Sequence, residues 1–129
     1  MDNKKKFVFM LSHTTTNPVE VLGVMKIASN IKAFSDDAEV VIFLFNEGVQ
    51  LAKKGVVDNI SIEFEGKQVN FKEMLDLLID FGVKFYVCHA FMPGFGVTDE
   101  NMIEGFEKKS SSYLGELLLQ GYIPLTLNL

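Results

Sequence analysis

The sequence contains one cysteine, Cys88, among 129 residues, and it has no tryptophan and only three prolines. A lone cysteine cannot form a disulfide within the chain, and such usage is typical of a reducing compartment. A chain of this length buries roughly two-thirds of its unfolded surface, which is enough to fold without a disulfide or a metal. We therefore expect one domain over residues 1–129 and a cytoplasmic location.

Basic residues and long apolar runs are scarce as well. There are 12 Lys and Arg against 17 Asp and Glu, for a net charge of −5. Nucleic-acid binding needs clustered cations, and the short run Lys4–Lys6 is typical of solvated surface. The longest apolar runs fall well below the ~20 residues of a membrane span, and the run after Lys6 is too short for a signal peptide. We expect neither a nucleic-acid nor a membrane partner.

Apolar runs of strand length alternate with helical patterns, which is typical of βαβ units around a parallel sheet. Residues 7–11, 38–45 and 83–88 are nearly continuous apolar runs, as expected for strands buried on both faces. Residues 60–64 alternate between apolar and polar side chains and precede a turn at Gly66-Lys67. Pro124 lies in a last strand over 122–127, which predicts an edge position because proline cannot donate to a ladder.

Helix signals lie between these strands. Asn17 precedes Pro18 and an apolar stripe, and Asn70 precedes a second stripe, so each asparagine is expected to cap a helix. A third helix is predicted from Ser112 to Gln120. Two short helices are also predicted, one from Asn46 to Lys54 and one that Thr98 caps and Gly105 interrupts. Glycines are expected to end helices in the left-handed conformation, at positions 55, 82 and 121.

Polar or reactive side chains stand at three predicted strand ends, as the pairs Ser12-His13, Asn46-Glu47 and Cys88-His89. In open α/β sheets, ligands bind outside the carboxyl ends of the strands. We therefore expect His13, Asn46 and Cys88 to line one depression, although such ends are also polar for capping reasons.

Cys88 is the candidate catalytic residue, and two interpretations of it stay open. It is either a small core side chain, because free cysteine is among the most buried residue types, or a nucleophile whose thiolate is stabilised by loop amides and helix N-termini. His13 and His89 are candidate supporting residues beside it. If the strand continues through His89, its side chain points away from that of Cys88, which makes His13 the better placed of the two.

Other kinds of site are poorly supported. Two histidines and one cysteine lack the spacing and the fourth ligand of a zinc centre, so no metal is expected. The hydroxyl-rich segment from Ser12 to Asn17 invites comparison with a phosphate loop, but it lacks glycine, and capping of the helix explains it better. Gly94-Phe95-Gly96 does not form a dinucleotide motif. We expect no cofactor.

The chain resembles the DsrE/DsrF-like family, the small sulfur-relay proteins related to the Tus sulfur carriers. The resemblance covers nearly the whole length. It is carried by the first strand with its Pro18-led helix, by the segment 43–49, by Asp80 to Cys88, and by Tyr113 to Leu117 with the closing strand.

This resemblance implies a three-layer α/β/α fold with a mostly parallel sheet of about five strands, assembled into trimers or hexamers. It also implies that the cysteine at position 88 accepts sulfur as a persulfide and passes it on. With one cysteine there is no internal resolving thiol, so the sulfur donor and the acceptor must be other proteins or thiols. A residue in that role needs an accessible thiol.

Three hypotheses follow from the sequence. The first is a sulfur carrier or sulfurtransferase that works through Cys88. The second is a non-enzymatic, oligomeric binding or regulatory module in which Cys88 is packed. The third is a flavin- or phosphate-binding protein that uses the segment from Ser12 to Asn17.

Overall fold

A computed structural model describes residues 4–127. Its elements are β1 (Lys6–Leu11), α1 (Pro18–Phe34), β2 (Glu39–Leu44), β3 (Ser61–Phe64), β4 (Lys67–Asn70), α2 (Phe71–Asp80), β5 (Lys84–Cys88), β6 (Phe106–Lys109), α3 (Ser112–Leu119) and β7 (Ile123–Leu125). No helix in this part of the chain is long and apolar enough to cross a membrane.

The main sheet has five strands in the order β6-β5-β2-β1-β7, and neighbouring strands run parallel throughout. β1 and β2 pair along their full length, from Lys6 opposite Glu39 to Leu11 opposite Leu44. β2 in turn pairs with β5. The three predicted apolar strands therefore form the centre of the sheet, and this confirms the predicted parallel α/β architecture.

Helices cover both faces of the sheet, as the three-layer expectation requires. On one face, α1 and α2 pack in a cluster with inward residues such as Phe9, Ile42 and Phe85. On the other face the core is smaller, because α3 contributes the buried Leu117 to a cluster with Val8, Val41, Phe43 and Cys88. Alternate residues of each strand thus go to opposite layers, which explains why the central strands are apolar throughout.

The predicted caps of the long helices are confirmed. The side-chain oxygen of Asn17 accepts a hydrogen bond from the backbone N–H of Glu20 at 3.2 Å, and that of Asn70 accepts one from Glu73 at 3.1 Å. Gly82 and Gly121 follow α2 and α3 with positive φ angles of 87° and 95°.

The structure corrects the prediction at two short helices. The segment Asn46–Ala52 is a 3₁₀ helix, and Asn46 lies inside it with a φ of 51° instead of capping it through its side chain. Thr98 does not begin a helix. Its backbone N–H donates to the side-chain oxygen of Asn101, and the backbone N–H of Asn101 donates to the hydroxyl oxygen of Thr98. That reciprocal pair closes a turn instead.

Two further differences concern strands. The predicted strand over 60–64 exists as β3, but it pairs only with β4 in a separate antiparallel hairpin whose turn contains Glu65 and Gly66, both at positive φ. The fifth strand of the main sheet is β6, which the sequence did not predict, and it pairs with β5. Its sequence, Phe-Glu-Lys-Lys, has neither an apolar run nor regular alternation.

Candidate functional site

The carboxyl ends of β1, β2 and β5 lie along one edge of the sheet, because these strands are adjacent and parallel. Ser12 and His13 follow β1, Asn46 and Glu47 follow β2, and β5 ends at Cys88 itself. The three residue pairs singled out in the sequence therefore share this edge, although their side chains do not all turn the same way.

Cys88 is fully buried, with an exposed fraction of 0%. It lies in the smaller core on the α3 face of the sheet, within a cluster against which Phe45 and Tyr86 also pack. The chain then turns through two short 3₁₀ segments, His89–Phe91 and Pro93–Phe95. The thiol thus lies at the predicted strand end but below the surface, whereas an accessible thiol was expected of a sulfur carrier.

Several aromatic side chains lie in this smaller core or pack against it. Phe43 and Phe45 are stacked with 4.7 Å between their ring centroids, and Phe91 meets Phe45 edge-on at 6.5 Å. Tyr86 meets Tyr113 edge-on at 5.2 Å. Phe91 belongs to the segment that follows Cys88, so its contact with Phe45 holds that segment against the end of β2.

Lys109 is the register partner of Cys88 on the neighbouring strand β6. Its ammonium group lies 4.5 Å from the ring centroid of Tyr113 and 5.5 Å from that of Tyr86, within the range of cation–π attraction. Glu107 is 3.7 Å from the same ammonium group. A cation on the strand beside Cys88 was missed in the sequence because β6 itself was not predicted.

The two histidines have different surroundings. Nδ1 of His13 is 2.9 Å from a carboxylate oxygen of Glu20, in the first turn of α1. His89 is exposed and lines a shallow cavity of about 330 Å³ with residues of the following loop and Lys108. β5 ends at Cys88 and His89 begins a 3₁₀ helix, so the strand does not continue through His89 as the alternation argument required. Cys88 is nevertheless buried in the core, whereas His89 is exposed.

Glu47 is the most highly bonded side chain at this edge. Its carboxylate accepts hydrogen bonds from the backbone N–H groups of Thr14, Thr15 and Thr16, and from the hydroxyls of Thr15 and Thr16. The hydroxyl of Thr14 donates back to the carbonyl oxygens of Glu47 and Gly48, each at 3.2 Å. Glu47 thereby ties the β1–α1 loop to the segment after β2.

These contacts bear on the phosphate-loop interpretation. A phosphate bound at the start of α1 would need the backbone N–H groups that precede the helix. In the structure the N–H groups of residues 14–16 already donate to the carboxylate of Glu47. The loop is therefore occupied by the protein's own anion, which counts against the flavin or phosphate hypothesis. Among residues 4–127, no group of three or more His, Cys, Asp or Glu side chains is placed to hold a metal ion.

A model of the DsrE/DsrF-like family matches residues 5–127. The chain belongs to the DsrE/DsrF-like family. This membership supports a protein of the sulfur-relay type, which the sequence resemblance implied. A comparison of the sequence with curated proteins found no match.

Solved structures show the same fold in other organisms. The YchN protein from E. coli superimposes with a TM-score of 0.78 at 19% sequence identity, over 95% of this chain and 99% of that one. MTH1491 from Methanobacterium thermoautotrophicum, a protein of unknown function, gives 0.76 at 15% identity, over 95% and 98% of the two chains. BT1422 from Bacteroides thetaiotaomicron, also of unknown function, gives 0.69 at 16% identity over 95% of each chain. At these identities the similarity establishes the DsrE-like fold.

Tyr86 and Tyr113, which pack against the cluster that contains Cys88, lead to a prediction about alkaline stability. Burial raises the pKa of Tyr86, and a hydrogen bond with Tyr113 raises it further. The unfolded chain ionises this phenol near pH ~10, whereas the folded chain keeps it neutral to higher pH. Raising the pH above about 10 therefore favours unfolding. Urea titrations at pH ~9 and ~11 should show that the free energy of unfolding falls with rising pH. The fall should be smaller in Tyr86→Phe than in the wild type. An equal fall in both proteins would show that Tyr86 does not cause it.

Proposed function

We propose that this chain is a sulfur-relay protein that accepts sulfur as a persulfide on Cys88 and hands it to an acceptor thiol. The observation that carries the proposal is the position of the cysteine at the carboxyl end of β5, in a chain of the DsrE/DsrF-like family.

The proposed transfer has two displacement steps. The Cys88 thiolate attacks the outer sulfur of a donor persulfide, so that a new S–S bond forms on Cys88 and the donor leaves as its thiolate. An acceptor thiolate then attacks the outer sulfur of the Cys88 persulfide and releases the Cys88 thiolate. Each step makes one S–S bond and breaks another, so neither requires an added oxidant or reductant. Donor and acceptor are separate thiols, because the chain has no second cysteine.

Burial of the thiol requires an opening step before the donor can react. We expect the segment directly after Cys88 to move, and not α3, because it consists of short 3₁₀ turns with exposed His89, Ala90 and Phe91, whereas α3 contributes Leu117 to the buried core. Short turns with exposed side chains open at lower free energy than the packed strands. We expect the segment to lift away from Phe45 and expose the thiol without unfolding the sheet.

A second candidate is a non-enzymatic binding or regulatory module. The complete burial of Cys88 favours it, because a buried thiol among aromatic and aliphatic side chains behaves as a small core residue. In that case the thiol reacts only when the whole protein unfolds.

Mass spectrometry of the native protein tests the first candidate against the second. Incubation with a persulfide donor is expected to add one sulfur atom, about 32 Da per chain, and dithiothreitol should remove it. A thiol reagent should label Cys88 faster than the protein unfolds, as judged from the unfolding rate under the same conditions. Labelling at the unfolding rate, with no persulfide adduct, would leave the binding module as the function.

Cys88→Ala is the control variant, and no persulfide adduct should form on it. Alanine is a better control than serine, because serine would bury an unpaired hydroxyl at a cost of ~1–3 kcal/mol. An adduct that persists in Cys88→Ala would mean that the added mass is not on this thiol.

A further inference from the structure

His13 and Glu20 form a histidine–carboxylate pair at the carboxyl edge of the sheet. Nδ1 of His13 lies 2.9 Å from a carboxylate oxygen of Glu20. A carboxylate can only accept hydrogen bonds, so Nδ1 carries the proton and Nε2 presents a lone pair. Among the described residues, none forms a hydrogen bond with Nε2. The side chain of Glu20 is 9% exposed and that of His13 is 41% exposed, so solvent and solutes can reach the ring.

The burial of Glu20 needs a physical reason. Within residues 4–127, the buried polar or charged residues are Thr14, Glu20 and Glu47. Burying a carboxylate is unfavourable unless hydrogen bonds compensate for the lost water. Thr14 and Glu47 bond to each other and fix the β1–α1 loop. The carboxylate of Glu20 bonds instead to an imidazole, so its burial fixes the orientation and the tautomer of that ring.

The start of α2 shows that helix capping does not require this arrangement. Both α1 and α2 follow an asparagine whose side chain accepts from the backbone N–H of a glutamate, Glu20 in α1 and Glu73 in α2. Glu73 is exposed, although it occupies the same position in its helix. The burial of Glu20 is therefore a feature of α1, where His13 is its partner.

This pair lies two strands from Cys88 on the same edge of the sheet. β2 lies between β1, which His13 follows, and β5, which ends at Cys88. Neighbouring strands are about 4.8 Å apart, so these two strand ends are separated by roughly 10 Å. The outer sulfur of a persulfide extends about 2 Å beyond Sγ. Phe91, in the segment that covers Cys88, packs on Phe45 directly after β2, so lifting this segment leaves room for a small thiol between the two sites.

We propose that Nε2 of His13 takes the proton of the acceptor thiol, and that Glu20 is the positioning residue that holds the ring for this step. The inference rests on the proposed sulfur relay through Cys88. The S–H proton of the acceptor moves to Nε2, the acceptor sulfur bonds to the outer sulfur of the persulfide, and the bond from that sulfur to Sγ breaks. Cys88 leaves as its thiolate. The carboxylate of Glu20 stabilises the imidazolium, which then releases the proton to solvent.

This role specifies the chemical class of the acceptor. The thiolate is the nucleophile, and a free cysteine thiol with its pKa of ~8.5 is mostly protonated at neutral pH. A general base accelerates attack by such a thiol, but it does nothing for an acceptor that is already ionised. We therefore expect the acceptor to be an unactivated thiol whose pKa lies above neutral pH.

Transfer of sulfur from the persulfidated protein to free cysteine tests the role of His13. His13→Gln should slow the transfer at least tenfold at pH ~7, because a general base typically contributes a factor of 10²–10⁴. At pH ~9.5 free cysteine ionises without help, so the two proteins should agree within twofold. Loss of the added ~32 Da in the mass spectrum gives the rate. An equal slowing at both pH values would show a merely structural role and overturn the proposal.

Glu20→Gln tests the positioning role, and Glu73→Gln is its matched control. Glutamine can turn its N–H group toward the ring and favour the tautomer that is protonated on Nε2. Nitrogen NMR of the imidazole should show the proton on Nδ1 in the wild type and on Nε2 in Glu20→Gln. Transfer at pH ~7 should be at least tenfold slower in Glu20→Gln and unchanged in Glu73→Gln. A wild-type ring protonated on Nε2 would overturn the proposal without any sulfur chemistry.

The outcomes separate this proposal from the sulfur relay itself. Circular dichroism establishes that each variant is folded, and the NMR measurement on the wild type needs no variant. A wild-type adduct that His13→Gln passes on at the normal rate at pH ~7 overturns the role of His13 and leaves the relay through Cys88 in place. If the wild type forms no adduct, both proposals fail.

Discussion

Replacing Gly48 with alanine is expected to lower the free energy of unfolding by about 3 kcal/mol or more. This is the upper end of the usual cost of adding a methyl group where the protein has no space for it. A Cβ atom at this position would lie 2.2 Å from the carbonyl oxygen of Leu11 and 2.9 Å from its carbonyl carbon. Both are backbone atoms of the central strand β1, so they cannot rotate away. The same carbonyl oxygen accepts the hydrogen bond from the N–H of Phe45 at 2.9 Å, which a shift would break.

Gly115→Ala is the matched control for this measurement. Gly115 lies within α3, and a Cβ there would have no neighbour within 4 Å. Alanine in a helix interior is favoured over glycine by ~1 kcal/mol, so this variant should be more stable than the wild type. Urea unfolding of both variants decides the matter, and a loss below ~1 kcal/mol for Gly48→Ala would show that the strand end adapts to the added methyl group.

Glu47→Gln is the second change expected to have a large effect, a loss of about 2–4 kcal/mol of unfolding free energy. The carboxylate of Glu47 is nearly buried and accepts from the backbone N–H groups and hydroxyls of Thr14 to Thr16. Glutamine has the same shape but no charge, which weakens every one of these hydrogen bonds. Its amide group also turns two N–H donors toward a loop whose backbone N–H groups can only donate, so some of these groups lose their partner.

Two measurements separate this effect from a general loss of acidic charge. Glu63→Gln, at an exposed position of β3, should change stability by less than ~0.5 kcal/mol. In Glu47→Gln, the amide protons of Thr14 to Thr16 should exchange much faster with solvent than in the wild type. Unchanged exchange at these three amides would contradict the role assigned to the carboxylate.

The strands that are buried on both faces of the sheet were predictable, because each of them is a continuous apolar run in the sequence. β1, β2 and β5 have such runs, and their parallel arrangement followed from the helical patterns between them. β6 was not predictable in this way, because it is an edge strand in which Phe106 is buried and two of the other three residues are exposed. The segment of β6 is a strand because it pairs with β5, and this contact between distant parts of the chain leaves no pattern within the segment itself.

The same reasoning applies to the candidate site. The strand-end position of Cys88 followed from its place after an apolar run, but its burial depends on α3 and on Phe45, which other parts of the chain supply. The role of Glu47 was also missed. Its partners lie 31 to 33 residues earlier in the chain, and each is an ordinary backbone or threonine group that carries no separate signal.

The short edge strands have a consequence for how copies of this chain can meet. β7 has three residues and contains Pro124, and β6 has four residues and ends in Lys108-Lys109. Neither edge presents a long row of free backbone donors and acceptors, and flanking lysines repel a second strand. These edges therefore oppose extension of the sheet from one molecule into the next, which is the step that seeds a fibril.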